Sequence, residues 1–113
     1  MFIEGKFTSL NEYIKAERTN RYAGAKIKKT MTELAYLQCL NKPKFETPTT
    51  IRFIWHVKNK RVDPDNTAFA KKFCLDGMVK AQIIPDDTFK HIKGFVDEFI
   101  VSDKEGVEVV AID

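Results

Sequence analysis

Thr49-Thr-Ile-Arg-Phe-Ile-Trp-His-Val-Lys58 is the stretch from which the fold can be read. Ile51, Phe53, Trp55 and Val57 occupy alternate positions, with Arg52, His56 and Lys58 between them. Successive side chains of an extended chain point to opposite faces, so this pattern predicts a half-buried β-strand with one row toward a core.

Upstream of this strand, Phe2 to Phe7 reads as a short strand. Ser9 followed three residues later by Glu12 matches a helix capping box. Tyr13, Ile14, Ala16, Ala23, Ile27, Met31, Leu34 and Leu37 then recur at helical spacing, giving one long helix or two consecutive ones that end near Leu40. The Asn20 and Gly24 region is the expected break. Asn41-Lys-Pro43 and Thr47-Pro48 mark an irregular connection.

Downstream, Asn59 to Pro64 leaves the strand, and Asp65 or Asn66 can cap a helix running to about Gln82. Pro85-Asp86-Asp87 is turn chemistry. Phe89 to Val101 reads as strand with Gly94 as a bulge or bend. Asp103 to Gly106 reads as a hairpin-like turn, and Val107 to Ile112 as a final strand. The order β-α(α)-β-α-β-β predicts a single mixed α/β or α+β domain over residues 1–113.

Composition narrows the class. Hydrophobic residues make up 43% and charged residues 31%, the balance of a soluble globular chain. No apolar run approaches the ~20 residues needed to span a bilayer, and Met1 to Leu10 lacks the charged start and apolar stretch of a signal peptide. A cytoplasmic protein without a membrane partner is expected. Cys39 and Cys74 form neither a CxxC pair nor a zinc spacing with His56 or His91, so they are expected as reduced, buried thiols, and both histidines as ordinary side chains.

The net charge of +3 does not by itself indicate a polyanionic partner, but its distribution says more. Lys15, Arg18, Arg21, Lys26, Lys28 and Lys29 fall in one segment with a single acid, Glu17. Lys58, Lys60 and Arg61 stand just before an acidic motif. Either segment can be a solvated surface or a phosphate-binding one. Tyr13, Tyr22 and Tyr36 can stack on bases or pack in the core.

The acidic motif is Arg61-Val-Asp63-Pro-Asp65-Asn66. In extended backbone Asp63 and Asp65 point to one side, and Pro64 biases Asp63 toward that conformation. Two adjacent carboxylates repel unless a cation or proton joins them, and a hard divalent ion with oxygen ligands answers that repulsion. The same four residues are also good turn and cap chemistry. On a helix starting near Asp65, the residues Asp65, Phe69, Lys72 and Asp76 form one stripe. There Lys72 and Asp76 are either a surface i,i+4 pair or part of the acidic site. Asp86-Asp87 is either a turn or a further source of carboxylates for that site.

In this order the segments resemble the RusA-like family of Holliday junction resolvases, whose pattern is Asp-x-Asp-Asn, then a helix with Lys-x-x-x-Asp, then an Asp-Asp pair. Here it reads Asp63-Pro-Asp65-Asn66, Lys72-Phe-Cys-Leu-Asp76 and Asp86-Asp87. The match is strong over about Lys58 to Thr88, and Ser9-Leu-Asn11-Glu-Tyr13 resembles the family's early Asn-containing segment. The resemblance implies a metal-dependent crossover-junction endodeoxyribonuclease that makes paired nicks in four-way DNA junctions during recombination and repair, as a homodimer, in a phage or prophage setting. It implies Asp63, Asp65 and Asp87 as metal-binding catalytic acids for Mg²⁺ or Mn²⁺, and Lys72 as the catalytic lysine. Asp76, Asp86 and Asn66 would support them. The basic residues Lys15, Arg18, Arg21, Lys26, Lys28, Lys29, Lys58, Lys60 and Arg61 would contact DNA. One departure stands out. The family lysine lies four residues after the second Asp of the motif, where this chain has Phe69. Lys72 keeps the Lys-x-x-x-Asp spacing but sits ~4.5 Å further along a helix, so Lys71 is the other candidate. A non-catalytic binder of branched DNA is the alternative reading.

Overall fold

The structure, a computed structural model, describes residues 1–113. In chain order it runs β1 (Phe2–Glu4), α1 (Leu10–Thr19), α2 (Arg21–Cys39), β2 (Thr49–Val57), α3 (Pro64–Ala68), α4 (Lys71–Lys80), β3 (Ile92–Val101) and β4 (Gly106–Ala111). The strands make one mixed sheet in the order β1-β4-β2-β3. The chain is therefore a mixed α+β domain, as its element order predicts.

β2 follows its alternation: Ile51, Phe53 and Trp55 are at most 2% exposed, while Arg52, Ile54 and His56 are half-buried. The buried row meets Ala35 and Cys39 of α2, Phe73, Cys74 and Met78 of α4, and Val107 and Val109 of β4 in one core. The helices thus cover one face of the sheet. β2 pairs parallel with β3 and antiparallel with β4. The register with β3 shifts between Thr49 and Thr50, leaving Lys93 as the extra residue beside Gly94, where the bulge was expected.

The hairpin expected across Asp103–Gly106 does not form. β4 runs past the end of β2 and inserts between β1 and β2 instead of pairing with β3. Burial explains the choice. Val107 and Val109 are fully buried, whereas Phe95, Val96, Phe99, Ile100 and Val101 of β3 stay exposed. The strand whose side chains fill the core takes the interior position.

The N-terminal helical pattern is two helices, and Asn20 alone separates them. With φ −164° and ψ 130°, Asn20 donates its N–H to Ala16 O, ending α1, and accepts Tyr22 N–H on its side chain, starting α2. Gly24 is not a break. It lies buried inside α2, against the Glu17 side chain of α1. The capping box between Ser9 and Glu12 is present, and it holds the Glu12 carboxyl below its usual range through the Ser9 backbone N–H.

The second helical pattern also departs from expectation. Asp63, in extended conformation, is the N-cap residue, and Pro64 occupies the first helical position, which suits its fixed φ and missing N–H. Asp65 and Asn66 therefore lie inside the first turn and do not cap it. The helix is divided at Phe69–Ala70 into α3 and α4. Phe69 turns to pack 5.4 Å from Tyr13 and 5.5 Å from Phe73, ring centre to ring centre.

Candidate functional site

The helix division sets what the acidic residues can reach. Asp63 holds the N-cap position, yet its side chain accepts no capping hydrogen bond, so the carboxylate is free and exposed. Asp65, also exposed, accepts the Asn66 backbone N–H at 2.9 Å. Asn66 accepts Asn11 N–H at 2.8 Å through Oδ1, tying the motif to the first turn of α1.

α4 carries the clearest constellation. Lys72 Nζ lies 2.9 Å from Asp76 Oδ1 and 3.0 Å from Asp87 Oδ2. The first contact is the i,i+4 pair that helical spacing predicts; the second brings in the loop before β3. Asp86 Oδ1 accepts the Asp87 N–H at 2.8 Å, which fixes the local turn. Hydrogen bonds to Asp76 and then Asp87 raise the Lys72 ammonium above its usual range. The Lys72 hydrogen bond holds the Asp87 carboxyl below the usual carboxylate range. Both groups are therefore charged at neutral pH.

Lys71 is directed elsewhere. Its Nζ contacts Asp97 Oδ2 of β3 at 2.6 Å and lies 4.6 Å from the centre of the Phe95 ring. Asp97 also accepts Trp55 Nε1–H at 2.9 Å. Of the two candidate lysines, Lys72 is the one that meets Asp76 and Asp87.

The structure brings Lys72, Asp76 and Asp87 together, whereas Asp63, Asp65 and Asn66 stand at the cap and first turn of α3, and no hydrogen bond or ion pair joins the two groups. No three His, Cys, Asp or Glu side chains converge as a metal-binding set. The donor chemistry nonetheless suits a hard divalent ion, since every acid here offers carboxylate oxygens and Asp63 and Asp65 are open to solvent. Lys72 already shows that Asp76 and Asp87 share a cation.

A cleft of ≈ 340 Å³ adjoins Asn66 of the motif, lined among others by Lys6, Glu12, His56, Lys58, Asn66 and Glu105. Lys6 was not legible as a site residue: it is a lone cation between a strand and a cap, and only the fold sets it across from Lys58. Lys15, Arg18, Arg21, Lys26, Lys28, Lys29, Lys60 and Arg61 are all exposed and make no ion pair; Lys58 meets Glu105 at 3.3 Å. Tyr13 is a packing residue against Phe69 and Phe73, whereas Tyr22 is 67% exposed. Tyr36 lies under Lys80, 4.4 Å away. His91 exchanges a hydrogen bond with Thr47 at 3.0 Å, and His56 packs edge-on to Phe2. Cys39 and Cys74 are free and buried; burial raises the Cys39 thiol to about 11 and pushes Cys74 up as well.

Fold and site together define a class: a small α+β domain with a lysine-bridged carboxylate pair and, at Asn66, a polar cleft. No protein-family model matches the chain, nor does any curated protein or solved structure. No helix is long and apolar enough to cross a membrane.

Proposed function

We propose that the chain is a metal-dependent, structure-specific DNA endonuclease that resolves four-way junctions by paired nicks, in recombination and repair. The observation that carries this reading is the Lys72 ammonium between Asp76 and Asp87, on the helix that follows the Asp63–Asp65 motif. A fixed cation between half-buried carboxylates suits phosphodiester chemistry, in which negative charge builds on the phosphate oxygens. Asp63, Asp65 and Asp87 would hold Mg²⁺ or Mn²⁺, which supplies an activated water and neutralises the phosphate. Lys72 would place a positive charge at the scissile phosphate. Asn66 would keep the motif in position through Asn11. Exposed basic groups of α1 and α2, with Lys58, Lys60 and Arg61, would hold the phosphates of the junction arms.

Two symmetric cuts call for two symmetric sites, so the reading includes a homodimer and a cytoplasmic location alongside DNA. It is tested by cleavage of a labelled four-way junction with Mg²⁺ or EDTA, beside linear duplex and Asp65→Asn. Paired nicks that need the metal and vanish in the variant support it; intact junction under Mg²⁺ and Mn²⁺ alike rejects it.

One observation favours a second reading, a non-catalytic binder of branched DNA: the two acidic groups do not merge into a three-carboxylate set. That reading expects tight junction binding without divalent-ion binding by the free protein.

A further inference from the structure

β3 forms one edge of the sheet and is ten residues long, whereas the opposite edge, β1, has three. An edge strand offers a row of unpaired backbone groups, and natural sheets blunt such edges with short strands, Lys, Pro or bulges. β1 follows that rule. β3 is blunted only in part: Lys93 and the bulge lie at its start, and from Phe95 to Val101 the charges are Asp97 and Glu98. Its two charges are engaged within the chain, Asp97 by Trp55 and Lys71, and Glu98 by Arg52 Nε at 2.7 Å. The apolar side chains remain exposed, with Phe95 at 43% and Ile100 at 47%.

We infer that β3 pairs antiparallel with β3 of a second copy of this chain, joining two sheets into one. Three observations lead to a second copy as the occupant. First, Ser102 N–H donates to Val57 O at 2.9 Å. Backbone groups alternate sides along a strand, so Phe95, Asp97, Phe99 and Val101 turn theirs outward, away from β2. Second, the strand complements itself. A two-fold axis that pairs this outward row sets odd-numbered residues opposite odd ones, so Phe95, Phe99 and Val101 meet on the helix side, with Asp97 held there by Trp55 and Lys71, while Val96 and Ile100 meet on the other, with Glu98 held by Arg52. Third, five of the eleven exposed large hydrophobic residues, Phe95, Val96, Phe99, Ile100 and Val101, lie on this one strand, the composition of a surface that a partner covers.

Such an axis stands perpendicular to the sheet, so both helical layers lie on one face of the joined sheet. Both Lys72–Asp87 sites then face the same side, which suits two cuts in one junction. That consequence rests on the nuclease reading; the surface itself does not.

Sedimentation equilibrium of the wild type and of Ile100→Lys tests the interface. The expected result is a dimer for the wild type and self-association about 100-fold weaker for the variant, with circular dichroism unchanged. Because that variant could fail to fold, amide exchange of the wild type gives a second measurement: Asp97 and Phe99 N–H should exchange about tenfold more slowly in concentrated than in dilute solution. A wild-type monomer at every concentration overturns the inference. So does a dimer that Ile100→Lys leaves intact, with fast exchange at Asp97 and Phe99; that outcome leaves a nuclease dimer possible through another face. A dimer on β3 that cuts no junction supports the interface while rejecting the nuclease reading.

Discussion

Lys72 and Asp87 stand fifteen positions apart in the chain and meet at 3.0 Å, Nζ to Oδ2. The same ammonium reaches Asp76, so one cation ties the middle of α4 to the loop that leads into β3. Its neighbour Lys71 ties the start of α4 to β3 itself. Adjacent helical residues point ~100° apart, and two consecutive lysines therefore serve two different places.

This division separates their expected effects. Lys72→Met should lower junction cleavage by roughly 100-fold or more, while costing no more than ~1 kcal/mol of stability because the pair is largely exposed. Lys71→Met should cost about 1–2 kcal/mol, through its contacts with Asp97 and the Phe95 ring, and leave cleavage within a few-fold. Cleavage assays and urea melts of both variants check this; the reverse pattern would exchange the two roles.

The Lys72–Asp87 contact also predicts a pH dependence. Asp87 is depressed, so its contribution is present above the unfolded carboxyl value of about 3.9 and is lost as pH falls through the folded one. Lys72 is raised, so its contribution is full below the unfolded value of about 10.4 and is lost as pH rises through the folded one. The stability difference between the wild type and Asp87→Asn should be flat near neutrality, at no more than ~1 kcal/mol, and shrink below pH ~4 and above pH ~10. A difference that grows on acidification would contradict the assignment.

Gly77 marks a close approach of α4 to α2. A Cβ there would lie 2.7 Å from Ala35 Cβ and 2.8 Å from the Tyr36 backbone N, neither of which can swing aside as a flexible side chain can. Gly77→Ala should destabilise by about 1–3 kcal/mol despite the better helix propensity of Ala. Denaturant midpoints measure this, and a stabilised variant would show that the helices separate easily.

Lys26, Lys28 and Lys29 are exposed on α2 without ion-pair partners. If they hold phosphates, reversing all three charges should weaken junction binding and reduce the slope of log K against log salt by about 2–3. An unchanged salt titration would remove this segment from the DNA surface.

The sequence made the local features legible. The alternation of β2, the Ser9–Glu12 box and the Asn20 break each depend on neighbours in the chain, and each is found. The division at Phe69–Ala70 was hidden because Ala, Phe and Lys all tolerate helix; Tyr13, more than fifty residues away, receives the Phe69 ring. The strand order was hidden for a similar reason. A short turn at Asp103–Gly106 suits a hairpin, and only the packing of Val107 and Val109 into the core, which sets β4 between β1 and β2, decides otherwise. Within the site, spacing pointed to the Lys72–Asp76 pair, but nothing local showed whether Lys71 or Lys72 would meet Asp87, or that Lys6 and Lys58 would line one cleft.

The order β1-β4-β2-β3 also bears on how the chain assembles. β4 follows every other strand in sequence, yet it joins the first strand to the rest of the sheet. Until Gly106–Ala111 are made, β1 has no neighbour to pair with and the core lacks Val107 and Val109. The helices can form early from local contacts, but closure of the sheet waits for β1 and β4 to meet across about a hundred residues, a non-local pairing of the kind that slows folding.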